Sequence, residues 1–337
     1  MLDSMIELIV LFALFLAGIF GFWTGFTDAA YATATIIATK AVKTNQAIVL
    51  SAVGSLIGMV VFGSAVAKTI ATGILVPGTA SGEVIIATLL GSLIFDFIFS
   101  WIYALPISET HVLIGGLIGA GIAAGGTEVL VLDGIVNKVI IPLVTSPFIA
   151  IIIAFFITGL IIRIFMRQSA SASKTNRRFK RLQVFATFLF SITDATNDAQ
   201  KVMGIITMIL FYYGHISEFV VPFWVIILSY ITISSGVVFG GWRIVKTMAT
   251  KITRVRPYQG AGADLSSSLI LGGAAYLGIP MSSTHVASGT LLGAGMTRGM
   301  KSVKWGTMRN IIWAWILSAP LSAVFSYIIY NILIVII

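Results

Sequence analysis

Apolar residues fill long, nearly unbroken stretches of this chain, and short polar stretches interrupt them. Such runs predict membrane-embedded helices, because the strands of a membrane barrel would alternate with period two in short segments. The pattern places helices at roughly 5–25, 47–67, 84–104, 110–126, 139–165, 183–193, 200–214, 219–241, 262–278, 285–297 and 310–336. Several fall below the roughly 20 residues needed to span a bilayer. The short ones flank polar motifs, which predicts broken or re-entrant helices. Irregular backbone survives at membrane depth only when buried in protein or lining a wet cavity. The expected fold is an all-α integral membrane protein, a polytopic helical bundle.

The polar interruptions come in pairs. Thr27-Asp28-Ala29-Ala30 is echoed by Asn197-Asp198-Ala199-Gln200-Lys201, with Asp28 and Asp198 170 positions apart. Pro106-Ile107-Ser108-Glu109-Thr110-His111 is echoed by Pro280-Met281-Ser282-Ser283-Thr284-His285, 174 positions on. Gly115, Gly119 and Gly121 repeat at that same offset as Gly289, Gly293 and Gly295. A duplicated chain with paired interrupted helices is the mark of a repeat-built transporter, and inverted repeats are the expected form. The expected divisions are a first membrane repeat at 1–162, a basic linker at 163–183 and a second repeat at 184–337.

Composition sharpens this picture. Of the 337 residues, 58% are hydrophobic and 10% charged, and the mean hydropathy is +1.04. A soluble domain carries about 25% charged residues. The net charge of +9 is concentrated: clusters at 163–183, at Arg243, Lys246, Lys251, Arg254 and Arg256, and at Arg298, Lys301, Lys304 and Arg309 hold 16 of the 21 Lys and Arg. In a membrane chain such clusters face the cytoplasm, and both ends, lacking Lys and Arg, are expected outside. The acidic start, with Asp3 and Glu7, does not read as a cleaved signal peptide. There is no cysteine, which excludes disulfides and Cys-based metal or nucleophile sites.

Two kinds of chemistry follow from the motifs. Asp28 and Asp198, beside Thr27, Thr33, Thr35, Thr196, Asn197 and Gln200, offer carboxylate, hydroxyl and amide oxygens to a hard cation such as Na⁺, with carbonyls added if the helices unwind there. The alternative is a pair of helix-capping aspartates. The Pro-x-Ser-x-Thr-His stretches read as capped helix starts, whose free amides and positive dipole ends cradle an anion. Meeting at a pseudo-twofold axis, they would grip a tetrahedral oxyanion from two sides. His111 and His285 are expected to be buried hydrogen-bonding supports, and His215 a loop residue. Lys201 either attracts the anion or pairs with Asp198. Glu109 is an acid beside an anion site, and either carries a proton, binds a cation or points away. Asp194 is placed at the cytoplasmic edge as a cap, while Asp96 and Asp264 stand open between site and cap. An enzyme acting on phosphorylated lipid would need a nucleophile–base pair or a metal-ligand cluster, and an anion channel a pore lined by Arg and Lys; neither pattern is in the sequence.

The four stretches resemble those of the inorganic phosphate transporter (PiT) family: Gly25-Phe26-Thr27-Asp28-Ala29-Ala30-Tyr31-Ala32, Asn197-Asp198-Ala199-Gln200-Lys201 and the two Pro-x-Ser-x-Thr-His helix starts, in matching order along nearly the whole chain. The resemblance implies two inverted repeats, a homodimer in the cell membrane, and phosphate carried inward with Na⁺ or H⁺, with no cofactor and no nucleic-acid partner. Membrane lipid, phosphate and Na⁺ are then the partners. The candidate phosphate ligands are Ser108, Thr110, Ser282, Ser283, Thr284, Gln200 and Lys201. The candidate Na⁺ ligands are Asp28, Thr27, Asn197, Asp198 and Glu109. Three positions depart from the family's pattern: Thr27 replaces a histidine, Tyr31 an asparagine and Glu109 a threonine. They leave open H⁺ coupling and another tetrahedral oxyanion such as sulfate.

Overall fold

The computed structural model describes residues 2–61, 63–167, 171–240 and 255–336. These form eleven main helices: α1 (Leu2–Ala38), α2 (Thr44–Val61), α3 (Ala65–Gly73), α4 (Gly82–Asp96), α5 (Glu109–Gly125), α6 (Ile141–Arg167), α7 (Ala172–Tyr212), α8 (Phe223–Phe239), α9 (Pro257–Leu277), α10 (Ser283–Met296) and α11 (Trp305–Ile336). The π-helical segments Phe97–Ile102 and Ile135–Ile140 extend α4 and lead into α6. Six spans among the described residues are long and apolar enough to cross a membrane. On α6, Phe148, Ile152, Phe156 and Leu160 turn outward, the pattern of a lipid-facing surface.

Two sequence expectations fail in the same way. The polar motifs at Asp28 and Asp198 do not break their helices: α1 and α7 run straight through them, and the expected segments 183–193 and 200–214 are parts of one 41-residue helix. The reason is burial. From Ala186 to Leu210 nearly every α7 side chain that meets a neighbour is enclosed, polar ones included, so helix–helix packing replaces the apolar surface that a lipid-facing span would need. The linker expected at 163–183 is also helical beyond Ala172. At about 1.5 Å per residue α7 is about 60 Å long, twice the hydrocarbon thickness of a bilayer. In its basic first turns Lys180 donates to the carbonyl of Lys40, just past the last turn of α1, at 2.8 Å. Arg243, Lys246, Lys251 and Arg254 of the second basic cluster lie outside the described residues.

The halves pack by exchange. α5 lies against α11, and its counterpart α10 against α6; α1 lies against α8, and α7 against α2; α4 contacts α11 as α9 contacts α6. The paired glycines serve these contacts. A Cβ on Gly119 would sit 2.0 Å from the Ala323 carbonyl oxygen, and one on Gly293 2.1 Å from that of Ile151. Only glycine lets the backbones approach this closely.

Candidate functional site

Both Pro-x-Ser-x-Thr-His stretches start helices as expected. Ser108 caps α5 by accepting from the His111 amide at 3.2 Å, and Ser282 caps α10 by accepting from His285 at 3.3 Å. The first amides of each helix, at Glu109–Thr110 and Ser283–Thr284, have no intrahelical acceptor. The two starts are laced together. Thr110 donates to the Met281 carbonyl and Thr284 to the Ile107 carbonyl, each at 2.8 Å, and Tyr31 also donates to Ile107 at 3.3 Å. The histidines are buried supports: His111 Nδ1 meets the Trp315 carbonyl at 2.9 Å, His285 Nδ1 meets that of Leu143 at 3.0 Å, and the rings stand edge to face. His215 lies in the turn after α7.

Asp28 and Asp198, one from each half, converge on their buried helix faces, and Asp194 joins them. One carboxylate oxygen from each of the three lies within 4.8 Å of the others. Asp194 is therefore neither a cap nor at the edge of the protein: it is 4% exposed, one turn before Asp198 on the same face of α7. The i, i+4 spacing of the two aspartates was the available signal. Lys201, the only buried Lys or Arg among the described residues, pairs with Asp198 Oδ1 at 2.5 Å. Ser283 donates to Asp198 Oδ2 at 3.4 Å, joining the α10 start to the carboxylates. Asp28 Oδ1, Asp194 Oδ1 and Asn197 Oδ1 are buried without a hydrogen-bond partner. When ionised, the three carboxylates outnumber the single ammonium, and buried unpartnered oxygens of this kind can ligate a hard cation.

The remaining candidates fall elsewhere. Thr27 is turned toward α5, where its hydroxyl reaches Glu109 Oε1 at 2.9 Å. Gln200 accepts from the Val66 amide at 2.7 Å with its carbonyl oxygen, fixing the start of α3, while its Nε2 has no partner. Asp264 is not a cap: its carboxylate receives hydroxyls from Thr35 at 2.8 Å and Thr187 at 2.5 Å, tying α9 to α1 and α7. Asp96 is fully buried beside Glu109.

The sequence model of the phosphate transporter family matches residues 24–326. A protein of Rhizobium meliloti (strain 1021) named "Probable low-affinity inorganic phosphate transporter" is 39% identical over 312 residues, 92% of each chain. One of the same name from Bacillus subtilis (strain 168) is 40% identical over 317 residues, 93% of this chain and 94% of that one. Among solved structures, one titled "The sodium-dependent phosphate transporter" superposes with a TM-score of 0.85 over 98% of this chain and 100% of that chain, at 24% identity.

Proposed function

Because this chain belongs to the phosphate transporter family, a family of multi-pass membrane transporters rather than enzymes, we propose that it takes up inorganic phosphate by symport with Na⁺ bound at Asp28, Asp194 and Asp198. The observation that carries the reading is the junction at Ser283. Its hydroxyl touches Asp198 while its amide is among the free ones at the start of α10, so a cation at the triad and an oxyanion at the helix starts would be neighbours. Each would offset the other's charge, so binding of one favours the other, and by linkage the favour is returned in equal measure. The oxyanion's ligands in this reading are the amides and hydroxyls at Ser108, Thr110, Ser282, Ser283 and Thr284, with the free Gln200 amide group and Lys201 at the side. Asn197 Oδ1 completes the cation site. Rocking of one repeat against its inverted partner would alternate access.

The same reading puts the basic start of α7 in the cytoplasm, both ends outside, and a homodimer in the cell membrane. Its test is ³²P-phosphate uptake into proteoliposomes under an inward Na⁺ gradient, with excess unlabelled sulfate. Uptake that follows Na⁺ and ignores sulfate supports it. Uptake independent of Na⁺, or abolished by sulfate, contradicts the choice of cation or of oxyanion respectively.

A further inference from the structure

A second carboxyl pair lies apart from the triad. Asp96 is the last residue of α4, fully buried where the helix loosens into the π-helical turns Phe97–Ile102. Such turns are often retained at functional sites. Glu109, the first residue of α5 and 4% exposed, lies against it with its carboxyl within hydrogen-bonding reach. Thr27 satisfies Glu109 Oε1, but Glu109 Oε2 and both Asp96 oxygens make no hydrogen bond of good geometry, although Ser100 and Trp23 lie beside Asp96. Two buried carboxylates in apposition repel strongly unless a positive charge sits between them. The segment joining the pair is itself constrained: Ala104 holds φ at 51°, in the left-handed region that a side chain disfavours.

The pair also breaks the symmetry of the halves. Ser283 stands at the position equivalent to Glu109, and Thr24 at the position equivalent to Asp194. Each half thus carries one acid where the other has a hydroxyl, but on opposite elements: α7 in the second half, α5 in the first. The acid on α7 completes the triad. The acid on α5 turns toward Asp96, with Thr27 between it and the triad's Asp28.

We propose that Asp96 and Glu109, with the Thr27 hydroxyl, form a second cation site, distinct from the aspartate triad, that takes one monovalent cation in each transport cycle. Na⁺ or H⁺ meets the shared requirement of a single positive charge between two carboxylates: Na⁺ would be held by the three unpartnered oxygens, and a proton would let one carboxyl donate to the other. A calcium ion wants six to eight oxygens, more than four carboxylate oxygens and a hydroxyl supply. The inference rests on the transport reading, since the cation must travel with phosphate.

The test counts cations per phosphate in proteoliposomes at clamped potential, using ²²Na⁺, an enclosed pH dye and ³²P-phosphate. Wild type is expected to carry at least two monovalent cations per phosphate, and Glu109→Ser, Glu109→Gln and Asp96→Asn one fewer. The arm in which the count drops, Na⁺ or H⁺, names the occupant. Glu109→Ser introduces the side chain that the equivalent position of the other half carries. A wild-type count of one, or variants that keep the wild-type count, overturns the second site. No phosphate uptake by wild type would overturn the transport reading and this inference together.

Discussion

Thr110 donates to the backbone carbonyl of Met281, 171 residues away, and fastens the first helix start to the second half of the chain. Thr284 makes the reciprocal bond to Ile107. The two bonds are not equal in consequence, because Ile107 also receives the Tyr31 hydroxyl. Replacing a buried donor leaves its acceptor unsatisfied, at a cost of about 1–3 kcal/mol. Thr110→Val is therefore expected to lower thermal stability in detergent more than Thr284→Val does. Equal losses, or the reverse order, would remove the role assigned to Tyr31.

Asp194→Asn is expected to abolish Na⁺-stimulated uptake as fully as Asp28→Asn or Asp198→Asn, with each protein still folded and inserted. Wild-type-like Na⁺ stimulation in Asp194→Asn would take that residue out of the cation site. Lys201→Met removes the ammonium and leaves Asp198 uncompensated, which typically costs about 3–5 kcal/mol in a buried pair. That variant should show a large loss of thermal stability, partly recovered when Asp198→Asn is added.

The serine caps allow structure and binding to be separated. At an N-cap, alanine costs about 1 kcal/mol but glycine only a few tenths. Ser108→Gly combined with Ser282→Gly should leave thermal stability nearly unchanged while raising the KM for phosphate several-fold. An unchanged KM would move the oxyanion away from these helix starts.

Gly119→Ala and Gly293→Ala should each destabilise strongly, because the new methyl groups would meet backbone carbonyls at 2.0 and 2.1 Å. Gly273→Ala is the control. Nothing lies within 4 Å of its Cβ position, and alanine is favoured over glycine in a helix by about 1 kcal/mol. Melting curves for the three proteins should separate them clearly, and a tolerated Gly119→Ala would contradict the close α5–α11 contact.

Much of this was legible in sequence because the motifs carry local physics. Proline followed two residues later by serine specifies a capped helix start wherever the chain goes, and Ser108 and Ser282 act as such. The paired glycines, repeated at one offset, sit at close helix contacts in both halves. The continuity of α1 and α7 was not legible, since a polar run such as Thr196–Lys201 looks like a break until its neighbours are known to bury it. Asp194 was misplaced for the same reason: periodicity gives its face on α7, but only packing shows that the face meets Asp28. The Asp96–Glu109 contact joins the end of one helix to the start of the next across a constrained loop, and no local pattern encodes that approach.

Phosphate and Na⁺ in adjoining sites should bind cooperatively. The most direct measurement is equilibrium binding of phosphate to purified protein by calorimetry, with Na⁺ and with an inert organic cation in its place, for wild type and Asp198→Asn. Na⁺ is expected to tighten phosphate binding severalfold or more in wild type and to have no effect in the variant. Phosphate that binds wild type equally well without Na⁺ would contradict cooperative binding at adjoining sites.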